Sequence, residues 1–396
     1  MSRKIHDTSR LGDHVLAIDN WSSRNGSPSI DEFEYIDIAS VDREKKTIVG
    51  TILTSTADAP SRARQIVRRN DVLVSTVRPN LNAVAVVPEE LCSAVASTGF
   101  CVLRSHPERL CHRYLYYWVR TPFFVADMGR KATGASYPAV SDAIIKDSLI
   151  PLPPLSEQKR IADILDKADT IRRKRLEAID RLLQIPGSTF HAMFGTPAHN
   201  TKGWKIGTIR DLVEDVKYGS SSKAGAVGKY PMLRMNNITY EGTWNLSDLK
   251  YVDLEENELP KYLARKGDIL FNRTNSKELV GKSAVFQEDI PMAFAGYLVR
   301  ARTNKLAHPD YISGYLNSPH GKATLRHMCK NIVGMANINA QEFQDILIPQ
   351  PPIEAQLEYV RILNGVRESE KRLRSALMES VALFDSLGQR AFKGEL

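Results

Sequence analysis

Ile150-Pro151-Leu152-Pro153-Pro154-Leu155-Ser156-Glu157-Gln158 is written a second time, 198 residues on, as Ile348-Pro349-Gln350-Pro351-Pro352-Ile353-Glu354-Ala355-Gln356. Outward from this stretch the two copies stay in step. Arg68-Arg69-Asn70-Asp71-Val72-Leu73 meets Arg265-Lys266-Gly267-Asp268-Ile269-Leu270 at an offset of 197, as do Thr98-Gly99-Phe100 and Ala295-Gly296-Tyr297. Tyr114-Leu115 meets Tyr311-Ile312, Thr121-Pro122 meets Ser318-Pro319, and Leu165 meets Leu363. One such match is chance; an ordered series at a nearly constant offset is not. The chain is one unit of about 198 residues written twice.

Each unit has two parts. The first, residues 1–150 and again 196–348, mixes β-rich runs such as Asp71–Val77 and Leu81–Val87 with helical stretches such as Arg109–Thr121, so an α+β domain is expected. The second, residues 151–195 and 349–396, is expected to be a long helix. The prolines hold its approach extended, Ser156 is placed to cap it and Glu157 lies in its first turn. Ile161, Ile164, Ala168, Ile171, Arg175, Ala178 and Leu182 form a heptad seam, and Pro186-Gly187 is expected to end it. The second seam is Val366, Glu370, Leu373, Leu377, Ser380, Phe384 and Leu387. A seam left exposed would cost too much apolar surface, so the helices are expected to pack antiparallel. The expectation is two globular heads separated by two long antiparallel coiled-coil helices, an internal pseudo-twofold repeat.

Composition excludes several classes. Apolar residues make 42% of the chain and charged residues 25%, which is globular usage. No run approaches the ~18 apolar residues of a membrane span. The opening Met1-Ser2-Arg3-Lys4-Ile5-His6-Asp7 is not followed by an apolar signal core, so a cytoplasmic location is expected. Cys92, Cys101, Cys111 and Cys329 form no C-x-x-C pair and suit neither a zinc site nor a disulfide frame. The net charge of +8 is spread over the body of the chain and is zero in residues 349–396. That permits nucleic-acid binding without establishing it.

Catalytic signatures are missing from the sequence. There is no phosphate loop, dinucleotide fingerprint, nucleophile elbow or H-E-x-x-H. Nor is there the F-x-G-x-G loop or the N/D-P-P-F/Y tetrad of amino-methyltransferases. Asp37 followed by Glu44-Lys45-Lys46 is a short nuclease-like trace that a solvated loop explains as well. His14, His106 and His308 have no evident ligand partners.

The polar loops look instead like readers. Where the frame matches, the loops differ: Ser75-Thr76-Val77-Arg78-Pro79-Asn80-Leu81-Asn82 in one copy, Asn272-Arg273-Thr274-Asn275-Ser276-Lys277 in the other. Arginine grips guanine bidentately and asparagine does the same for adenine; lysine and serine supply phosphate contacts. Further candidates are Ser221 and Lys223, Arg234, Asn236 and Asn237, and two matched loops after a glycine, Gly134-Ala135-Ser136-Tyr137 and Gly334-Met335-Ala336-Asn337, flanked by Lys131 and Asn339. Turn chemistry accounts for Asn, Ser and Gly at any single position. Two heads with one frame and different polar loops should recognise two different things.

The sequence resembles the specificity (S) subunits of type I restriction-modification systems. The proline run with Glu157, Gln158, Ile161, Ala162 and Leu165 is similar to their I-P-L-P-P-L-x-E-Q-x-x-I-A-x-x-L stretch. Lys266-Gly267-Asp268-Ile269-Leu270, Ser97-Thr98-Gly99-Phe100 and the closing Ala391-Phe392-Lys393-Gly394-Glu395-Leu396 match as well. Asn70 departs from the glycine of the G-D element, Ala355 from the usual Glu, and the first head lacks the opening tryptophan that Trp204 supplies in the second. The resemblance implies that each head is a target recognition domain reading one half of an asymmetric bipartite site in double-stranded DNA. It implies that the helices set the spacing and dock two modification (methyltransferase) subunits. It implies no cofactor on this chain: S-adenosylmethionine belongs to the modification subunits, ATP and Mg to restriction (translocase/nuclease) subunits. About 30 helical residues at roughly 1.5 Å each span on the order of 45 Å, a little over one DNA turn of ~34–36 Å. The competing expectations are a stand-alone two-headed DNA-binding regulator, a nuclease built on Glu44 and Lys46, and an adapter for a fused methyltransferase-nuclease.

Overall fold

Each proline run closes a head and launches a helix. Leu149–Pro151 pairs antiparallel with Thr8–Arg10, Ser9 opposite Ile150, and Leu347–Pro349 pairs with Ile206–Thr208, Gly207 opposite Ile348. The computed structural model describes residues 7–22, 31–332 and 335–396. The chain forms two compact units, residues 1–177 with 374–396, and residues 178–373.

In the first unit the buried run Val72–Ser75 sits between Val84–Val86 and Phe100–Ser105, with Val15–Leu16 beyond. A five-stranded sheet orders Asp19–Asn20, Ala63–Ile66, Val95–Ser97, Glu32–Ile36 and Ile52–Ser55. The second unit repeats the plan. Ile269–Asn272 lies between Leu298–Thr303 and Ser283–Val285, and Val213–Tyr218 adds to the other side of Leu298–Thr303. Strands Val72–Ser75 and Ile269–Asn272 are buried on both faces, hence their unbroken apolar lettering.

The repeated motifs have physical causes. Asn70 and Gly267 both take positive φ, 69° and 93°, just before the strand. Asp71 then accepts the Arg68 amide at 2.8 Å and pairs with Arg104 at 2.8 Å; Asp268 accepts the Arg265 amide at 2.9 Å and pairs with Arg302 at 2.8 Å. The stretch read as a helix over Arg109–Thr121 is the shorter helix His112–Trp118. Thr121 then caps the next helix, Pro122–Lys131, accepting the Phe124 amide, and Ser318 caps Pro319–Met328 through the Gly321 amide. Proline at the first turn loses no bond there. Gln158 ties each run to its head: its Oε1 accepts the Cys111 amide at 2.9 Å and its Nε2 donates to the Arg109 and Pro153 carbonyls. Gln356 does the same with the His308 amide and the Leu306 and Pro351 carbonyls.

The helices depart from expectation in three ways. The first long helix starts at Leu155, so Ser156 lies inside its first turn; the Pro154 carbonyl takes the Glu157 and Gln158 amides. Pro186-Gly187 does not end a helix but stands in the first turn of a second one, Ile185–Phe194, after a break at Leu182. In the C-terminal helix Phe384 occupies the matching place, and Ile353–Phe392 runs unbroken for 40 residues. Third, the first seam fails at one position: Ile171 is 48% exposed, while Ile161 and Ala168 are buried as expected and Leu165 and Asp169 are buried beside them. Head packing sets that face, which a heptad count cannot know. The second seam is as expected, with Val366 and Ser380 buried. Within the first unit the helices run antiparallel, since Arg160 donates to the Leu396 carbonyl while Arg175 donates to the Ala376 carbonyl and Ser380 Oγ.

Candidate nucleic-acid interface

The fold brings two of the polar loops of the first head together. Arg78 donates its amide to the Pro138 carbonyl at 2.7 Å and Val140 its amide to the Thr76 carbonyl at 2.9 Å. The Arg78 guanidinium then lies over the Tyr137 ring, 4.7 Å from its centroid. Tyr137 is 69% exposed, and Ser136 next to it and Asn80, two residues past Arg78, are exposed as well. Arg78 and Asn82 flank the turn Pro79–Leu81 with φ of 48° and 47°, both left-handed, and Arg78 is exposed. Lys131 is exposed and paired with Asp127 at 2.7 Å.

The second head assembles a comparable pair from different letters. Arg273 lies over Tyr218, 4.9 Å from the centroid. Thr274–Asn275 pairs with Met335–Asn337, and the Tyr218 hydroxyl accepts the Ala340 amide at 2.9 Å. Ser221, Lys223 and Lys277 are exposed on the flanking loops. Gly334, named with the matched glycine loops, lies outside the described residues, as do Met1–His6. Tyr218, 43% exposed, escaped the sequence reading; the signal was an aromatic just before the candidate loop at Ser221.

Other candidates hold the frame. Ser75 and Thr76 are buried and donate to the Val77 and Gly99 carbonyls. Asn82 accepts Lys46 Nζ and donates to the Val119 carbonyl. Asn237 is buried, accepting the Arg234 amide, and Arg234 is held by Asp248. Asn236 is exposed beside them. Asn272 has no exposed surface, Asn337 accepts the Thr274 hydroxyl at 3.5 Å, and Asn339 caps the helix Ala340–Gln344 in a capping box. Ser75, Thr76, Asn237 and Asn272 are buried and present no side chain to a groove. Local hydrogen bonding explains Ser75, Thr76, Asn82, Asn237 and Asn339, whereas the buried side-chain amide of Asn272 makes no hydrogen bond among the described residues.

The nuclease-like trace is also taken apart. Asp37 caps the turn Ile38–Ser40. Lys46 is pushed down to about 8 by burial and by Arg120, Arg172 and Arg43, and its ammonium reaches Asn82 rather than Glu44. Among the described residues no three His, Cys, Asp or Glu side chains group as metal ligands, and no helix is long and apolar enough to cross a membrane.

Two heads on one frame each carry an Arg-on-Tyr pair and polar loops of their own. The chain belongs to the type I restriction-modification DNA specificity family, whose domain model matches residues 53–181 and 201–378. It is similar to the type I restriction enzyme EcoKI specificity subunit of Escherichia coli (strain K12), 27% identical over 323 residues, covering 75% of this chain and 68% of that protein. The StySPI specificity subunit of Salmonella potsdam is 24% identical over 321 residues, covering 75% and 68%. A chain from a solved structure concerned with assembly and conformational transition of the type I R-M system shares the fold. It matches with TM-score 0.62 over 99% of both chains, at 24% identity. The S subunit from M. genitalium matches with TM-score 0.56 over 99% of this chain and 97% of its own, at 15% identity.

Proposed function

We propose that this chain is the sequence-reading subunit of a type I restriction-modification complex, in which each head reads one half of an asymmetric bipartite site in double-stranded DNA. The observation that carries it is the contrast between motif hydrogen bonds that repeat in both heads, at Asp71 and Asp268 and at Gln158 and Gln356, and polar loops that do not. A guanidinium held over a tyrosine is pre-oriented, and its outer edge is left to meet a base in the major groove. Arg78 with Tyr137 would serve one half and Arg273 with Tyr218 the other. Lys131, Lys223 and Lys277 would meet phosphates, which position the protein without specifying sequence.

On this reading the long helices set the spacing and dock two modification subunits. The chain carries no catalysis itself. The modification subunits bring S-adenosylmethionine, and restriction subunits bring ATP and Mg. It works in the cytoplasm, on DNA. The test is selection by the purified chain with its modification partner from a randomised duplex library. Arg78→Ala or Tyr137→Ala should relax one half of the selected site, costing about 1–3 kcal/mol at that half, and Arg273→Ala or Tyr218→Ala should relax only the other. Equal weakening of both halves by either pair would refute the assignment.

A further inference from the structure

The joint between each head and its helix is built twice with opposite chemistry. In the first unit the head supplies the cations. Arg113 reaches Asp163 at 2.7 Å and Asp166 at 2.5 Å on the long helix, and Arg120, whose side chain is 8% exposed, faces the buried Asp169 at 3.5 Å. Carried along the repeat, by 197 in the head and 198 in the helix, Arg113 becomes Asp310 and Arg120 becomes Asn317. Asp163, Asp166 and Asp169 become Arg361, Asn364 and Arg367. In the second unit the head therefore supplies the anion: Asp310, 4% exposed, takes a two-pronged grip from Arg367, one arm at 3.0 Å.

Size is reversed too. Tyr117 of the first head corresponds to Gly314 of the second, and Gly388 of the C-terminal helix corresponds to Phe190. The equivalence holds in contacts: Phe392 packs on Tyr114 at 5.0 Å as Phe194 packs on Tyr311 at 4.8 Å. A Cβ on Gly314 would come within 2.8 Å of the Phe190 ring, whereas one on Gly388 would meet nothing within 4 Å. Tyr117 and Gly388 line one cavity of about 600 Å³.

We propose that this reversal is a matching code that assigns each head to its own helices. A first head seated on the second position would set Arg113 and Arg120 against Arg361 and Arg367, and Tyr117 against Phe190. A second head seated on the first would set Asp310 against Asp163, Asp166 and Asp169. The partner that each joint accepts, in this chain or from a second copy of it, is the one of opposite charge and complementary size. A buried charge facing its like is rejected far more strongly than an exposed one. Thermal unfolding of the chain reads this without DNA, so it stands apart from the assignment of the reading loops.

The test copies the second joint onto the first in the full chain. Asp163→Arg, Asp166→Asn, Asp169→Arg and Arg172→Glu, the last because Arg172 pairs with Asp169 and corresponds to Glu370, give this face of the first helix the charges of the second; Arg113→Asp and Arg120→Asn give the first head the charges of the second. The helix set alone should lower the melting midpoint by roughly 10 °C. All six together should recover half of that loss or more. Recovery of less than half would overturn the code. If the helix set does not fold, the milder pair Arg113→Asp and Asp163→Arg, 37% and 57% exposed in the native chain, is measured as a cycle. Coupling of at least about twofold in the unfolding constant supports the code, and additivity overturns it.

Discussion

Asn70 and Gly267 hold the same backbone position, with φ of 69° and 93°. The asparagine that breaks the family's G-D element is thus a substitution of like for like, because asparagine tolerates the left-handed region better than other side chains. Gly267→Asn should leave the melting midpoint nearly unchanged, while Gly267→Val should cost about 1–2 kcal/mol in chemical denaturation. Gln158→Ala strips the acceptor from the buried Cys111 amide and should cost about 2 kcal/mol by the same measurement. Asp169 is pushed up by burial, but Arg120, Arg172 and Arg173 together bring it below the ordinary carboxylate value. Its contribution is therefore complete above about pH 4 and is lost as pH falls through the lower folded value. Urea midpoints followed downward in pH should show that loss in the native chain and not in Asp169→Asn. The motif residues were legible as repeats, but their bonds were not. Asn237 and Asn339 look like base readers in a list of letters, yet they serve a turn and a cap, since a polar side chain declares its partner only when the chain is folded.

The helices were legible to different depths. The C-terminal seam follows its heptads because Ile353–Phe392 is a single helix. The first seam follows them except at Ile171, where the buried face passes to Asp169, turned inward toward Arg120 of its head. The charged interruption at Arg175 is satisfied by the Ala376 carbonyl and Ser380, a pairing no periodicity could announce. Seven helical residues rise ~10 Å, about three base pairs of DNA. Removing one heptad from both helices should shorten the gap in the selected DNA site by that amount, read by the same library selection. An unchanged gap would mean that the helices do not set it.

For the whole molecule, the repeat was the most legible feature, because an offset of 197 or 198 needs no knowledge of contacts. It announced two heads and two helices. The two compact units, each containing parts of both long helices, were not visible in chain order. The reading surface was half visible: Arg78, Tyr137 and Arg273 were named, while Tyr218 went unnoticed because only folding puts it under Arg273. The central claim is that this chain chooses the DNA sequence for a methylating complex, one half per head. The most direct measurement is a genome-wide map of N6-methyladenine in the host with the gene intact, deleted, and carrying Arg78→Ala. The account expects a bipartite motif that disappears on deletion and is relaxed in one half only by the substitution. A methylation pattern identical in all three strains, with the partner methyltransferase expressed, would contradict it.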